Sequence, residues 1–412
     1  MDEIDTIKTT CVIAGGGPAG LMLGYLLARA GVGVTVVEKH GDFLRDFRGD
    51  TIHPSTLEVI HQLGLEEAFL KLPHTRAPKL SAEIGGRNIT IADFSRLPVR
   101  NRFIAFMPQW DFLNFIAQEA ERFPNFRLLM SAKVTEVLSE GKRLAGLAVE
   151  TPEGLLHIRA DLTVAADGRK SVVRVLAGLE VESFGNPSEV VWMKLSKQPG
   201  DPAETMGHAG PRQGFVLIDR GDYWQCGYVI RRGTYAEFRQ GTVEDFRDKV
   251  RDVSPLPPER VEEIRDWNDL SLLQVRIDRL KKWWRPGLLC IGDAAHAMSP
   301  IGGVGVNLAI QDAVAAANLL AEPLKAGRLS DADLASVEKR RLFPTKATQK
   351  LQLMMRSSRK KDQDDDAKRK GPPAFIRGIA RFPLLSHLAG RLIGLGFRME
   401  RVRAQVILSG SV

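Results

Sequence analysis

Three glycine-bearing stretches hold residue types suited to phosphates and sugars. Gly15, Gly17 and Gly20 stand as G-x-G-x-x-G, with Ala19 inside the pattern. The first glycine permits a tight turn, the second lets backbone approach a diphosphate, and the third lets a helix lie close on a strand. Phosphate placed there would meet unpaired N–H groups and the positive end of a helix dipole, worth about 0.3–1 kcal/mol for the dipole alone. Glu38, with Lys39 beside it, follows at the spacing where a carboxylate accepts the hydroxyls of an adenosine ribose. Asp167 lies in AADGR, Gly292 and Asp293 in GDAAH, each directly after an apolar run. Further on, Pro300, Gly303, Val304, Gly305, Val306 and Asn307 lead into a stretch rich in alanine and leucine. Glycine there lets the backbone close on a flat ligand without a Cβ in the way.

These residues need a frame, and the flanking sequence predicts one. Lys8 to Ala14 is rich in Thr, Val and Ile; LMLGYLLARAG has helical periodicity; VGVTVVEK is a second β-branched run. Together they read as a right-handed βαβ unit on a parallel sheet. From Phe184 to Leu270 the pattern changes to short runs, VVWMKLS, GFVLID and YWQCGYVI, broken by Gly, Pro and Asp, as in an antiparallel sheet. LLCI and VNLAIQDAVAAANLLAEPL then resume the strand-and-helix pattern. A second long helix is expected from Ser330 to Lys361, then a solvated linker KKDQDDDAKRKGPP and a final amphipathic segment.

Composition narrows the function classes. With 412 residues and 44% apolar content the chain can build a large domain and a smaller partner. The net charge of +8 resides in the tail: Lys339 to Val412 carries 18 basic and 5 acidic residues, and the rest is slightly negative. No nucleic-acid motif or aromatic stripe accompanies those charges, so a solvated basic face is expected rather than a nucleic-acid partner. Cys11, Cys226 and Cys290 fit neither a disulfide framework nor a metal-ligand spacing. The N-terminus lacks signal-peptide features and no uninterrupted apolar run reaches the ~18 residues of a membrane span, so a cytoplasmic protein is expected.

The glycine pattern alone does not separate one dinucleotide from another. The three motifs taken together, in this order from residue 8 to about 322, resemble the single-component FAD-dependent aromatic hydroxylases related to p-hydroxybenzoate hydroxylase. The resemblance implies FAD, its ADP half on the first motif, Asp167 near the diphosphate with an influence on NADPH use, and Asp293 accepting ribityl hydroxyls. The loop from Pro300 to Asn307 would run along the isoalloxazine, where amides at the following helix start could face the negative charge of the reduced ring. Arg48 and Gln109 fall where the family places cofactor contacts, and Val134 could set its backbone against adenine. His296 is expected to be structural, since it belongs to the family's fold motif.

The resemblance further implies hydroxylation of a small aromatic or polyketide-like substrate with NADPH or NADH and oxygen, by way of a flavin C4a-hydroperoxide. Only one dinucleotide fingerprint is present, so the reductant would visit transiently. No catalytic acid or base declares itself among Tyr25, Tyr223, Tyr228 and Tyr235. Either Tyr223, Gln225 and Gly227 or Trp224, Cys226 and Tyr228 should face the flavin, with Trp192, Met193, Phe215 and Leu217 as further wall candidates. The expected architecture is α/β: a Rossmann-like FAD domain over 1–74, 99–183 and 271–370, an antiparallel-sheet substrate domain over 75–98 and 184–270, and a C-terminal helical segment over 371–412. A flavin oxidase or reductase on the same fold, or a flavin-binding protein without turnover, are the alternatives. A halogenase is disfavoured, because Trp283-Trp284 does not supply the W-x-W-x-I-P signature.

Overall fold

The computed structural model describes residues 4–44, 51–84, 87–185, 188–202, 206–209, 214–365, 378, 383–404 and 406. Strand β1 (Asp5–Ala14) buries its C-terminal half, turns at Gly15 and feeds helix α1 (Pro18–Arg29), which returns the chain to β2 (Val34–Val37). α1 buries ten consecutive residues from Ala19 to Ala28, so it is enclosed between the sheet and a second helical layer. Proline at its first position has no N–H to lose and presets the helical φ.

β1 sits at the centre of an eight-stranded sheet, parallel to β2 on one side and to Gly154–Ala165 on the other. Phe126–Leu129 extends the parallel set beyond β2, and Leu288–Cys290 extends it beyond Gly154–Ala165. The chain therefore reverses direction of travel across the sheet beside β1, and in such sheets ligands bind at the carboxyl ends of the strands at that point. All three motifs begin there, directly after β1, after Ala165 and after Cys290.

The second sheet has seven strands in the order Ser271–Gln274, Ser188–Ser196, Tyr223–Arg231, Gly214–Asp219, Met206–Ala209, Lys79–Ile84 and Arg87–Asp93. Its pairings are antiparallel except for the parallel pair Met206–Ala209 with Lys79–Ile84. Ser271–Gln274 carries this sheet four residues past the expected boundary at Leu270. One face packs Val191, Met193, Leu195, Phe215, Leu217, Trp224, Cys226 and Tyr228 against Phe246, Val250 and Val261. The three cysteines are buried and free, and burial pushes each thiol up, so none is a reactive thiolate.

Helix Val304–Lys325 packs on α1 and on helix Asp331–Asp365. Ile301–Lys325 is long and apolar enough to cross a membrane, but most of it is buried inside the protein as a core helix. Asp331–Asp365 runs into the segment expected to be a linker. The charged run KKDQDD contains neither glycine nor proline, so nothing in it breaks a helix before Gly371. Helix Pro383–Leu395 lies on strand Arg87–Asp93, where Gly390 allows contact: a Cβ there would stand 2.1 Å from the Asp93 carbonyl oxygen.

Candidate cofactor and active site

The G-x-G-x-x-G turn is set by backbone clearance. Gly15 has φ +105°, and a Cβ on it would stand 2.5 Å from the Ala166 carbonyl oxygen and 2.8 Å from Asp167 Cα. A Cβ on Gly20 would stand 1.9 Å from the Gly15 carbonyl oxygen. Gly17, which caps α1, differs: no atom lies within 4 Å of where its Cβ would be. The turn is thus closed on the protein side at Gly15 and Gly20 and open at Gly17, as a diphosphate approached by backbone requires. The amides opening α1 have no carbonyl four residues earlier in the helix to receive them.

Glu38 follows β2 by one residue. It accepts the Gly16 N–H at 2.9 Å and the His40 N–H at 3.2 Å, which ties the end of β2 to the glycine turn. Ala132 N–H donates to the Glu38 carbonyl and Ser131 N–H to that of His40. Strand Lys133–Glu140, with half-buried Val134 as its second residue, therefore starts beside Glu38, and Lys39 is exposed between them. Arg48 lies outside the described residues.

Asp167 uses its side chain within its own loop. Its Oδ2 accepts the Val172 and Val173 N–H groups at 2.7 and 3.2 Å, and its buried Oδ1 has no partner among the described residues. Burial pushes its carboxyl above the usual range, against the opposing pull of those amides and the Ser171 hydroxyl.

The Gly-Asp motif borders the glycine turn at the carboxyl ends of the strands, where such sheets form a ligand groove. Gly292 has φ +58°, and its Cβ would stand 3.1 Å from that of Ala19 and 3.2 Å from that of Ala309. That contact brings Asp293 beside the glycine turn. Arg169 Nη2 donates to Asp293 Oδ2 at 3.0 Å. Buried Arg174 clamps the backbones of both loops, donating to the Arg169 carbonyl at 2.7 Å and the Ala294 carbonyl at 3.1 Å.

A buried charge network lies beneath. Asp312 accepts the Gly292 N–H at 3.1 Å, meets His296 Nε2 at 2.5 Å and accepts from Arg341 Nε at 2.8 Å. Burial raises its carboxyl, and the His296 and Arg341 charges and hydrogen bonds more than reverse this, holding it below the usual range. Arg341 also donates to Glu400 and to the Arg398 carbonyl, so the C-terminal region is joined to the motif. His296 is buried within this network.

The expected loop from Pro300 to Asn307 is a single turn followed by helix: Val304, Gly305, Val306 and Asn307 form the first turn of Val304–Lys325. Gly302 and Gly303 at φ +78° and +64° make the bend that sets the helix start. The Asn307 side chain is engaged by the protein. Its Oδ1 accepts from His53 N–H at 2.9 Å and Thr56 Oγ1 at 2.7 Å, and its Nδ2 donates to the Thr51 carbonyl. Exposure separates the remaining candidates. Gly15, Gly17, Glu38, Asp167, Asp293, Pro300 and Gly303 to Val306 keep partly open surface, as does Gln109 at the start of helix Gln109–Glu121. Ala19, Gly20, Gly292 and Asn307 are buried and shape the groove from behind.

Residues 8–350 match the family described as FAD binding domain. The chain is 32% identical to 6-methylpretetramide 4-monooxygenase of Streptomyces rimosus over 354 residues, covering 85% of this chain and 84% of that one. The chain belongs to the FAD-dependent aromatic hydroxylases. FAD is its cofactor, and it is an FAD-dependent monooxygenase. It is 29% identical to 3-(3-hydroxy-phenyl)propionate/3-hydroxycinnamic acid hydroxylase of Escherichia coli O157:H7 over 351 residues, covering 81% of this chain and 59% of that longer one. The solved structure of an anhydrotetracycline hydroxylase from Streptomyces rimosus has a TM-score of 0.77 at 22% identity, covering 96% of this chain and 77% of that one. The clearance at Gly17, the opening amides of α1 and the partly open carboxylate of Asp293 fit this cofactor.

The face of the second sheet turned toward the FAD-binding part is also resolved. Trp224, Cys226 and Tyr228 belong to the small-sheet core, as do the wall candidates Met193, Phe215 and Leu217. Tyr223, Gln225 and Gly227 occupy the opposite face, with Trp192 over Gly227, and Trp192, Val216 and Ile218 join a cluster containing Phe94, Ile104, Phe106 and Leu395. Sequence reasoning passed over three arginines: Arg169, Arg174 and Arg220, whose Nε and Nη2 hold buried Gln225 at 2.9 and 2.6 Å. Arg169 stands two residues after Asp167 in a motif already singled out, which was a usable signal; nothing in the sequence pairs Arg220 with Gln225.

Proposed function

We propose that this monooxygenase hydroxylates a polycyclic or polyketide-like aromatic molecule, using NADH or NADPH as reductant, in the cytoplasm. The observation that carries the reading is the convergence of the three motifs on one groove at the carboxyl end of the parallel sheet. Gly15, Gly17, Ala19 and Gly20 would hold the diphosphate, Glu38, Lys39 and Val134 the adenosine end, and Asp293 the ribityl chain. Pro300 and the first turn from Gly303 to Val306, with Gln109 opposite, would border the ring. Asp167 orders its own loop at the diphosphate turn. When bound, FAD supplies the two-electron reduction and the activation of oxygen.

The chain's own residues do the rest. Trp192, Val216 and Ile218 lie on the inner, apolar side of the second sheet, where they would help to exclude water and form an apolar wall for an aromatic substrate. The opening amides of Val304–Lys325 orient donors at the groove, where they would stabilise negative charge. Arg220 holds buried Gln225 on the inner sheet side, where the pair would place polar groups near a substrate oxygen. The 32% identical relative is named for 6-methylpretetramide, which supports the substrate class.

The test is rapid-mixing reduction with labelled oxygen. Slow background NAD(P)H oxidation, acceleration by an aromatic substrate, and one labelled oxygen atom in the product are expected. Fast reduction without ligand together with unlabelled product would overturn the proposal.

A further inference from the structure

Arg169 and Asp293 come from two different motifs and meet across the groove at 3.0 Å, with side chains 32% and 27% exposed. Folding does not need this pair to join the loops. Arg174 already does so from beneath, bonding to the backbone of both and lying 3.7 Å from buried Asp278. The pair is also unlike an exposed surface bridge, in which two free side chains lose freedom for a small gain. Its two backbones are preset by Arg174 and by the packing of Gly292 on Ala19, so Arg169 reaches a carboxylate already in place.

Asp293 stands beside the turn where a diphosphate must enter, and an uncompensated carboxylate there would repel it. Arg169 supplies the missing positive charge while leaving the carboxylate oxygens able to accept hydroxyl hydrogens. Its Nη1 is covered and has no acceptor among the described residues, so the protein does not saturate this guanidinium.

Taking the groove as the FAD site proposed above, we infer that Arg169 is a cofactor-positioning residue: it fixes the Asp293 carboxylate toward the ribityl chain and offsets that carboxylate's charge where the diphosphate binds. The role differs from that of Arg174, whose loss would loosen both loops. A diphosphate-bearing ligand should feel Arg169 strongly and a flavin without phosphate only weakly.

The experiment titrates the apoprotein with FAD and with riboflavin, following flavin fluorescence at low and high salt, for wild type, Arg169→Met, Arg169→Lys, Asp293→Asn and the double variant Arg169→Met/Asp293→Asn. Arg169→Met is expected to weaken FAD about ten-fold, a charge-assisted contact's usual share, with a far smaller effect on riboflavin. Arg169→Lys should recover most of the loss, and salt should narrow the gap between wild type and Arg169→Met. The decisive sign is in the double variant. Asp293→Asn should weaken FAD in the wild-type background but restore part of the affinity in Arg169→Met, because the repelling charge is gone. Losses that multiply in the double variant, or equal losses for FAD and riboflavin, would overturn the inference. FAD affinity unchanged in Arg169→Met would do the same while leaving the cofactor site intact. A wild type that takes up no FAD would instead sink the reading of the groove itself.

Discussion

The groove at the carboxyl end of the parallel sheet and the inner face of the antiparallel sheet solve different problems. The groove is made of backbone: glycines where a Cβ would collide, amides with no helical acceptor, and charges fixed by other charges. The sheet face is made of side chains, Trp192, Val216 and Ile218, whose shape can vary while the strands beneath keep their register. The groove must recognise one cofactor, so it tolerates little change. On the proposed reading the sheet face suits a substrate, and exchanging apolar side chains of similar volume there costs little in fold.

The largest expected effect tests the rigid side. In Gly20→Ala the new methyl meets the Gly15 carbonyl at 1.9 Å, so the turn must open; FAD affinity should fall by roughly 100-fold or more. Flavin content after purification reads this directly, and a yellow, fully loaded variant would break the contrast.

Next is the foundation beneath the groove. Asp312→Ala leaves Arg341 and His296 buried without their common carboxylate and should cost about 3–5 kcal/mol in chemical unfolding. A loss below about 1 kcal/mol would show that the network is not a support, since surface substitutions stay in that range.

The joint between the two regions should be acid-sensitive. His53 links the start of helix Val304–Lys325 to helix Pro383–Leu395, which lies on the second sheet; its N–H donates to Asn307, its Nδ1 is bonded to the Ile393 carbonyl at 2.8 Å, and burial holds the ring at about 4, with that carbonyl pulling the other way. The unfolded chain takes up a proton near pH 6.5 that the folded chain refuses until about pH 4. Stability should therefore be undisturbed above that window and fall as pH drops through it, by up to about 3 kcal/mol. Thermal midpoints at neutral pH and near pH 4.5 should diverge less in His53→Gln than in wild type; parallel behaviour would assign the acid sensitivity elsewhere.

The smallest effects separate binding from folding. Gly17→Ala meets no protein atom, so its unfolding midpoint should match wild type while FAD binds about ten-fold more weakly, the methyl standing where the diphosphate approaches. Trp192→Phe should leave FAD content alone and raise the KM for an aromatic substrate about three-fold, through lost stacking. Loss of FAD in the tryptophan variant would merge the two regions and end the comparison.

The sequence by itself determined what is local. β1, its glycine turn, α1 and β2 are one continuous stretch whose β-branched runs, glycine spacing and helical periodicity report short-range geometry, and the two later motifs each follow their own strand. The helical start at Val304 and the helix running on to Asp365 were misjudged at their ends, because glycine pairs and charge runs mark such ends only weakly. Tertiary structure alone decided the rest. Alternation in Tyr223 to Tyr228 defines two faces, but only packing against Phe246 and Val261 assigns one of them to the small-sheet core. Likewise no local pattern shows that the Asn307 side-chain amide is held by Thr51, His53 and Thr56, some 250 residues earlier. Arg169 and Asp293 are 124 residues apart, and a charge's partner at that distance is fixed by the sheet that brings two strand ends together, which no local pattern encodes.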